Sequence, residues 1–189
     1  MKMIRRITAT FLLLFGVGAY AVDDTPIHKA LAEQIKYLQQ ISRNPVVVKA
    51  VVAQNGIELS QELIETRDAE WKASKQLTPF KEQLIESEAG QLFKGEVEDS
   101  SSILEIFLTD KRGANVAIYP PTSDYWQGDE EKWIIPFKSG ENYFGPTAFD
   151  ESTAMTTIQI SIPIKEGGNT IGVMVAGVSV RYIASKLLK

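Results

Sequence analysis

Between Tyr119 and Asp150 the chain gathers rings and acids. Tyr119, Tyr125, Trp126, Trp133, Tyr143 and Phe149 are interleaved with Asp124, Asp129 and Asp150. An aromatic face attracts an ammonium group by roughly 0.5 to 2 kcal/mol, and a desolvated carboxylate adds a charge-assisted hydrogen bond. Brought together, these residues would hold a small cation or zwitterion: an amine, an amino acid or a quaternary ammonium compound. A plain carboxylate ligand calls for an Arg fork. The stretch "PPTSDYWQGDEEKW" contains no Arg, and Arg112 and Arg181 lie outside it.

Catalytic chemistry has little to work with. His28 is the only histidine and the chain has no cysteine, which excludes a Ser-His-Asp set around a second His, thiolate catalysis, Cys-ligated zinc and disulfides. Asp124, Asp129, Glu130 and Glu131 are close in sequence but lack the alternating acid and Gly spacing of a calcium loop. Paired carboxylates for sugar hydrolysis would have to face each other, and no motif points to that. The expectation is a protein that is not an enzyme and has no cofactor and no metal.

Each ring and acid also has a plain structural role open to it. Trp133 can pack, Asp110 suits the entry to a hairpin turn, Asp124 beside Ser123 can cap a turn, and "DEEK" reads as solvated surface. Which role each side chain takes depends on the elements that position it.

The first residues are read as a leader. "MKMIRR" is basic, "ITATFLLLFGVG" is apolar, and Ala19, Tyr20 and Ala21 form a small-x-small cleavage signal. The apolar run is shorter than the roughly 20 residues of a membrane-spanning helix. Export to the periplasm with cleavage after Ala21 is expected, an inner-membrane signal anchor being the alternative. Removing 21 of 189 residues leaves 168, a length suited to one domain. Loss of Lys2, Arg5 and Arg6 leaves 17 basic residues against 24 acids, a net charge of −7. That balance argues against nucleic acid as a partner. With 44% apolar residues, burial alone can hold the fold.

Helical spacing fills the first half. Ile27, Leu31, Ile35, Leu38 and Ile41 form one stripe after a Thr25-Pro26 start. "NPVVVKAVVAQNG" reads as a short buried helix ending at Asn55-Gly56. Ser60 opens a third, with Leu63, Ile64 and Trp71 as its apolar contacts, and Thr78-Pro79 a fourth through Phe80, Leu84 and Ile85. After "EVEDSSS" the period becomes extended. "ILEIFLTD" and "ANVAIYP" flank a Gly-bearing turn as a hairpin, and a short helix is expected from Gly128 to Trp133. "YFGPTAFDEST", "TTIQISIPI" and "TIGVMVAGVSV" are three more strands, and "RYIASKLLK" ends the chain as a short helix. Gly residues in the last strand suggest close backbone approach. The order is α+β.

The run "IFLTDKRGANVAIYPPTSDYWQGDEEKW", then "YFGPTAFDESTAMTTIQISIPI", then "TIGVMVAGVSV", resembles the Cache (PDC) extracellular sensor domains, PAS-like modules of bacterial receptors. The similarity is close from Ile103 to Val180. It implies a single Cache domain: a curved five-stranded antiparallel sheet preceded by a long N-terminal helix and further helices. The expected division is a signal peptide at 1–21, a helical region at 22–102, and the PAS-like sheet with its pocket loops and short C-terminal helix at 103–189.

In that family the loop after the second strand covers a ligand pocket and the third strand supplies its other wall. The resemblance therefore implies that Tyr119, Asp124, Tyr125, Trp126, Asp129, Trp133, Tyr143, Phe149 and Asp150 bind the ligand. Amino-acid-binding members carry an Arg and a Trp close together in this lid, where the present chain reads Ser-Asp-Tyr-Trp. Asp150 matches an acid that holds the ligand's amino group. The function implied is recognition of an amine, amino acid or related small organic molecule.

The chain stops at Lys189 without an output domain, so signalling is expected to pass through a separate membrane protein such as a histidine kinase, chemoreceptor or cyclic-dinucleotide enzyme. Related sensors often pair through the first helix. A homodimer across that helix stands beside packing of the helix on its own sheet. The alternative function is a structural or adaptor protein with its pocket filled by its own side chains.

Overall fold

The computed structural model describes residues 26–150 and 155–186, with side chains at 26–30 and 150 excepted. The leader, Thr25, the His28 side chain and residues 151–154 lie outside the described residues. The elements run α1 (Pro26–Ser42), α2 (Pro45–Asn55), α3 (Gln61–Ala73), α4 (Pro79–Glu86), α5 (Glu88–Glu98), β1 (Ile103–Thr109), β2 (Asn115–Tyr119), α6 (Glu131–Ser139), β3 (Tyr143–Asp150), β4 (Met155–Glu166), β5 (Asn169–Ser179) and α7 (Val180–Ser185). No helix among the described residues is long and apolar enough to cross a membrane.

Helix starts follow local chemistry. The Asn44 side chain accepts from Val46 N, Ser60 from Leu63 N and Thr78 from Lys81 N, with Pro45 and Pro79 at first helical positions. Each supplies an acceptor to an amide that has no partner inside its helix. Two differences from the expected helices stand out. The fourth helix is followed at once by a separate one, α5, because Ser87 is extended and its hydroxyl caps Gly90 N at 3.0 Å. Gly90 allows the break: a Cβ there would lie 2.2 Å from the Leu84 carbonyl oxygen. The helix expected from Gly128 to Trp133 instead spans Glu131–Ser139, carries Pro136 inside it, and stops at Gly140 with φ 69°.

The five strands form one antiparallel sheet in the order β2-β1-β5-β4-β3. One face is covered by α1, α2 and α5, with Leu38, Ile41, Val47, Val51 and Phe93 packed against Ile106, Leu108, Met174 and Ala176. The other is covered by α3, α4 and the segment after β2, with Ile64, Trp71, Leu84 and Tyr125 packed on Phe107, Val173 and Val175. At roughly 25 cal/mol per Å² of apolar surface removed from water, burial on both faces is the main driving force for the fold. The close approach expected in the last strand occurs at Gly172, where a Cβ would lie 2.2 Å from the Thr109 carbonyl oxygen.

Candidate functional site

The segment from Pro120 to Glu130 lies against the sheet and is fastened to its neighbours. Asp68, buried on α3, accepts from the amides of Tyr125 (2.9 Å) and Trp126 (3.0 Å) through one carboxylate oxygen and binds Lys72 Nζ (2.6 Å) through the other. Trp71 Nε1 donates to Thr122 O at 2.9 Å. Asn115 and Gln127 side-chain amides both donate to Asp124 O, each at 3.1 Å. The amide of Gln127 donates to Gly113 O at 2.8 Å.

The side chains beneath this segment fill the space between it and the sheet. Tyr125 is 1% exposed, its ring 5.9 Å from that of Trp71 and 5.2 Å from that of Phe80. Burial raises its phenol pKa above the ordinary value. Trp126 Nε1 donates to Arg112 O at 2.8 Å. Trp133 stacks on Phe137 at 4.6 Å and donates to Asp110 O at 3.3 Å.

The remaining predicted residues are dispersed. Asp124 accepts from Gln127 Nε2 at 2.6 Å and Ser123 Oγ at 3.0 Å. Asp129 is exposed. Tyr119 shares the α5 face of the sheet and donates to Glu98 at 2.7 Å; Tyr143 donates to Glu131 of α6 at 3.0 Å. Phe149 is 63% exposed on β3. Asp150 ends β3 opposite Met155, its side chain lying outside the described residues. The structure thus brings Tyr125, Trp126 and Trp133 together as packing, with Asp124 pinning the loop beside them. Tyr119, Asp129, Tyr143 and Phe149 point elsewhere.

An open groove lies next to this packed region, at the edge where the covering segment meets β3. It encloses about 430 Å³ between Pro120–Ser123 on one side and Pro146 and Phe149 on the other. Glu105, Thr157 and Gln159 line it as well. Glu105 stands opposite Gly177 in the sheet, and Gly177 opposite Gln159. With no side chain at Gly177, the Glu105 side chain crosses β5, and its Oε1 accepts from Gln159 Nε2 at 3.1 Å. A Cβ on residue 177 would come within 2.5 Å of Glu105 Cγ.

A half-buried carboxylate beside an amide and a threonine hydroxyl suits a ligand ammonium with further donors. Sequence reasoning missed Glu105 because it sits inside an apolar strand. The available signal was its register: it shares a face with Phe107 rather than with the solvated turn. Among the described residues no group of three His, Asp or Glu side chains is placed to hold a metal ion.

No protein-family model and no curated protein matches this sequence. Among solved structures, the extracellular domain of the histidine-kinase candidate vpHK1S-Z8 superposes with a TM-score of 0.50 at 12% identity, over 84% of this chain and 54% of that one. The fold is that of a Cache sensor domain.

The Cache-fold chain is also similar to the sensor domain of the V. cholerae histidine kinase DctB (TM-score 0.44, 10% identity, 87% of this chain and 57% of that one). A further similar structure is the sensory domain of the Campylobacter jejuni chemoreceptor Tlp3 with isoleucine bound (TM-score 0.43, 13% identity, 89% and 69%). The chain spans a little over half the length of the two kinase domains, 57% and 54%.

Proposed function

We propose that this protein is an exported small-molecule sensor module that takes an amine-bearing ligand in the Glu105 groove and reports its occupancy to a membrane-bound signalling protein. The observation that carries this reading is the Glu105 carboxylate, held across Gly177 in an open groove of about 430 Å³. That volume lies within the range of roughly 300 to 1,000 Å³ common for ligand pockets. In this reading Phe149 and Pro146 form the apolar wall, and Gln159 and Thr157 read the ligand's polar groups. Phe149 is the one residue that the proposal shares with the described part of the predicted aromatic and acidic set.

A thermal-shift screen of amines, amino acids and organic acids tests the proposal. At a hundredfold excess over Kd a true ligand stabilises by about 2.7 kcal/mol. An amine should raise the melting temperature of the wild-type chain, and Glu105→Gln should remove most of that rise. If every class leaves the melting temperature unmoved, or Glu105→Gln responds like wild type, the groove is not the sensing site.

A second reading has its own observation. The space under the covering segment is filled by Tyr125, Trp71 and Phe80, as a structural or adaptor protein with this fold would have it. Absence of any small-molecule response in the same screen, together with specific capture of one membrane protein, would favour that reading.

A further inference from the structure

The groove between the covering segment and β3 is poor in hydrogen-bond donors. Pro120, Pro121 and Pro146 stand on its lining, and a proline nitrogen has no hydrogen to give. The Thr122 hydroxyl donates to Asp124 O at 2.6 Å and accepts from Asn115 Nδ2 at 2.8 Å, so both of its roles are taken. The Ser123 hydroxyl donates to Asp124 Oδ1 at 3.0 Å. Gln159 Nε2 spends a hydrogen on Glu105 Oε1. Acceptors are left over. Glu105 Oε2 has no hydrogen-bond partner among the described residues, and it is not one of the side-chain atoms sealed from solvent.

Charge is distributed in the same sense. Glu105 is the one ionised side chain on the described lining, and no Lys or Arg stands there. A ligand carboxylate can only accept hydrogen bonds. An α-amino acid seated by its ammonium would carry that carboxylate on the neighbouring carbon, close to the like charge of Glu105 and without a cation or a ready set of donors to compensate. A second ammonium fares no better, because the lining away from Glu105 includes Leu104 and the three prolines. The matching ligand is rich in donors at one end and apolar over the rest.

Resting on the reading of this groove as the sensing site, we propose that its ligand is a primary monoamine with an apolar alkyl or aryl body and no carboxylate, and that the groove rejects α-amino acids. The ammonium donates to Glu105 Oε2 and to the Thr157 hydroxyl oxygen, while the body lies along Leu104 and the proline rings.

Isothermal titration calorimetry on the full chain tests this with two matched pairs, isoamylamine against leucine and phenethylamine against phenylalanine. Each pair differs only by the carboxylate, and putrescine serves as the control for a second charge. At least one of the amines should bind saturably, about tenfold or more tighter than its amino acid and than putrescine. Glu105→Gln keeps the shape of the side chain and should weaken that binding about tenfold or more. Should an amino acid or putrescine bind as tightly as the monoamines, and still depend on Glu105, the ligand class proposed here is wrong while the groove stands as the sensing site. If neither amine nor amino acid binds saturably at millimolar concentration, or if Glu105→Gln binds like wild type, the groove is not the sensing site and this inference falls with it.

Discussion

Asp110 shows what one buried carboxylate does in this fold. It is fully buried at the end of β1, and its Oδ1 accepts from the amides of Arg112 (2.7 Å) and Ala114 (3.0 Å). Desolvation pushes its pKa above the ordinary value, against the pull of those two amides and of the Arg112 charge. For a raised pKa the linked stability is fully present below the ordinary value and is lost as the pH rises through the raised one. Asp110→Asn keeps the shape and one acceptor oxygen without the charge. The melting-temperature difference between variant and wild type should therefore move in the variant's favour as the pH rises from acid towards neutral. A difference that stays constant with pH would mean that the buried charge is not the source of the effect. Lys81 is a second buried ion, 4% exposed, satisfied by the carbonyls of Trp71 (3.2 Å) and Ser74 (2.5 Å) and by the Trp71 ring at 4.9 Å.

Among the elements, α3 has the task of holding down the segment after β2. Asp68 gives that segment two backbone hydrogen bonds, and Trp71, one helical turn on, gives a third. Removing a buried, charge-assisted acceptor leaves two amides unpaired, at a cost of about 2–3 kcal/mol. Asp68→Ala should lower the melting temperature accordingly and speed amide exchange at Tyr125 and Trp126, while amides in β4 and β5 stay protected. Uniform loss of protection through the sheet would show instead that α3 supports the whole molecule. The anchoring also bears on the proposed groove, whose wall Pro120–Ser123 is the front of this same segment.

At the scale of the molecule, one sheet separates two cores, and Gly172 lies on its α2 side. A Cβ at this position would meet the Thr109 carbonyl oxygen at 2.2 Å and Val51 Cγ1, from α2, at 2.9 Å. Overpacking of this kind costs about 1–3 kcal/mol. The chain's three Trp residues, Trp71, Trp126 and Trp133, all lie on the face away from α2. In Gly172→Ala, Trp fluorescence and far-ultraviolet circular dichroism should report the same lowered melting temperature, because both cores share the strands that must move apart. Separate transitions by the two probes would show that the faces unfold independently.

The α+β order, the helix starts at Ser60 and Thr78, the hairpin around Gly113 and the resemblance in fold were legible in the sequence, since each depends on local periodicity, capping or turn chemistry; the Asn44 cap came to light with the structure. The sequence left open whether α5 parts from α4, which hung on Ser87 capping Gly90 while Leu84 passes within contact distance. It also could not say which rings face a ligand. Tyr125 and Phe149 look alike as aromatic residues beside acids, yet one is 1% and the other 63% exposed. That difference arises because α3 and α4 supply Trp71 and Phe80 as packing partners for Tyr125, while Phe149 stands on β3, the edge strand of the sheet. That the space under the covering segment is filled, and that Glu105 lines the groove beside it, follows from packing and strand register, the missing side chain at Gly177 letting that carboxylate cross β5.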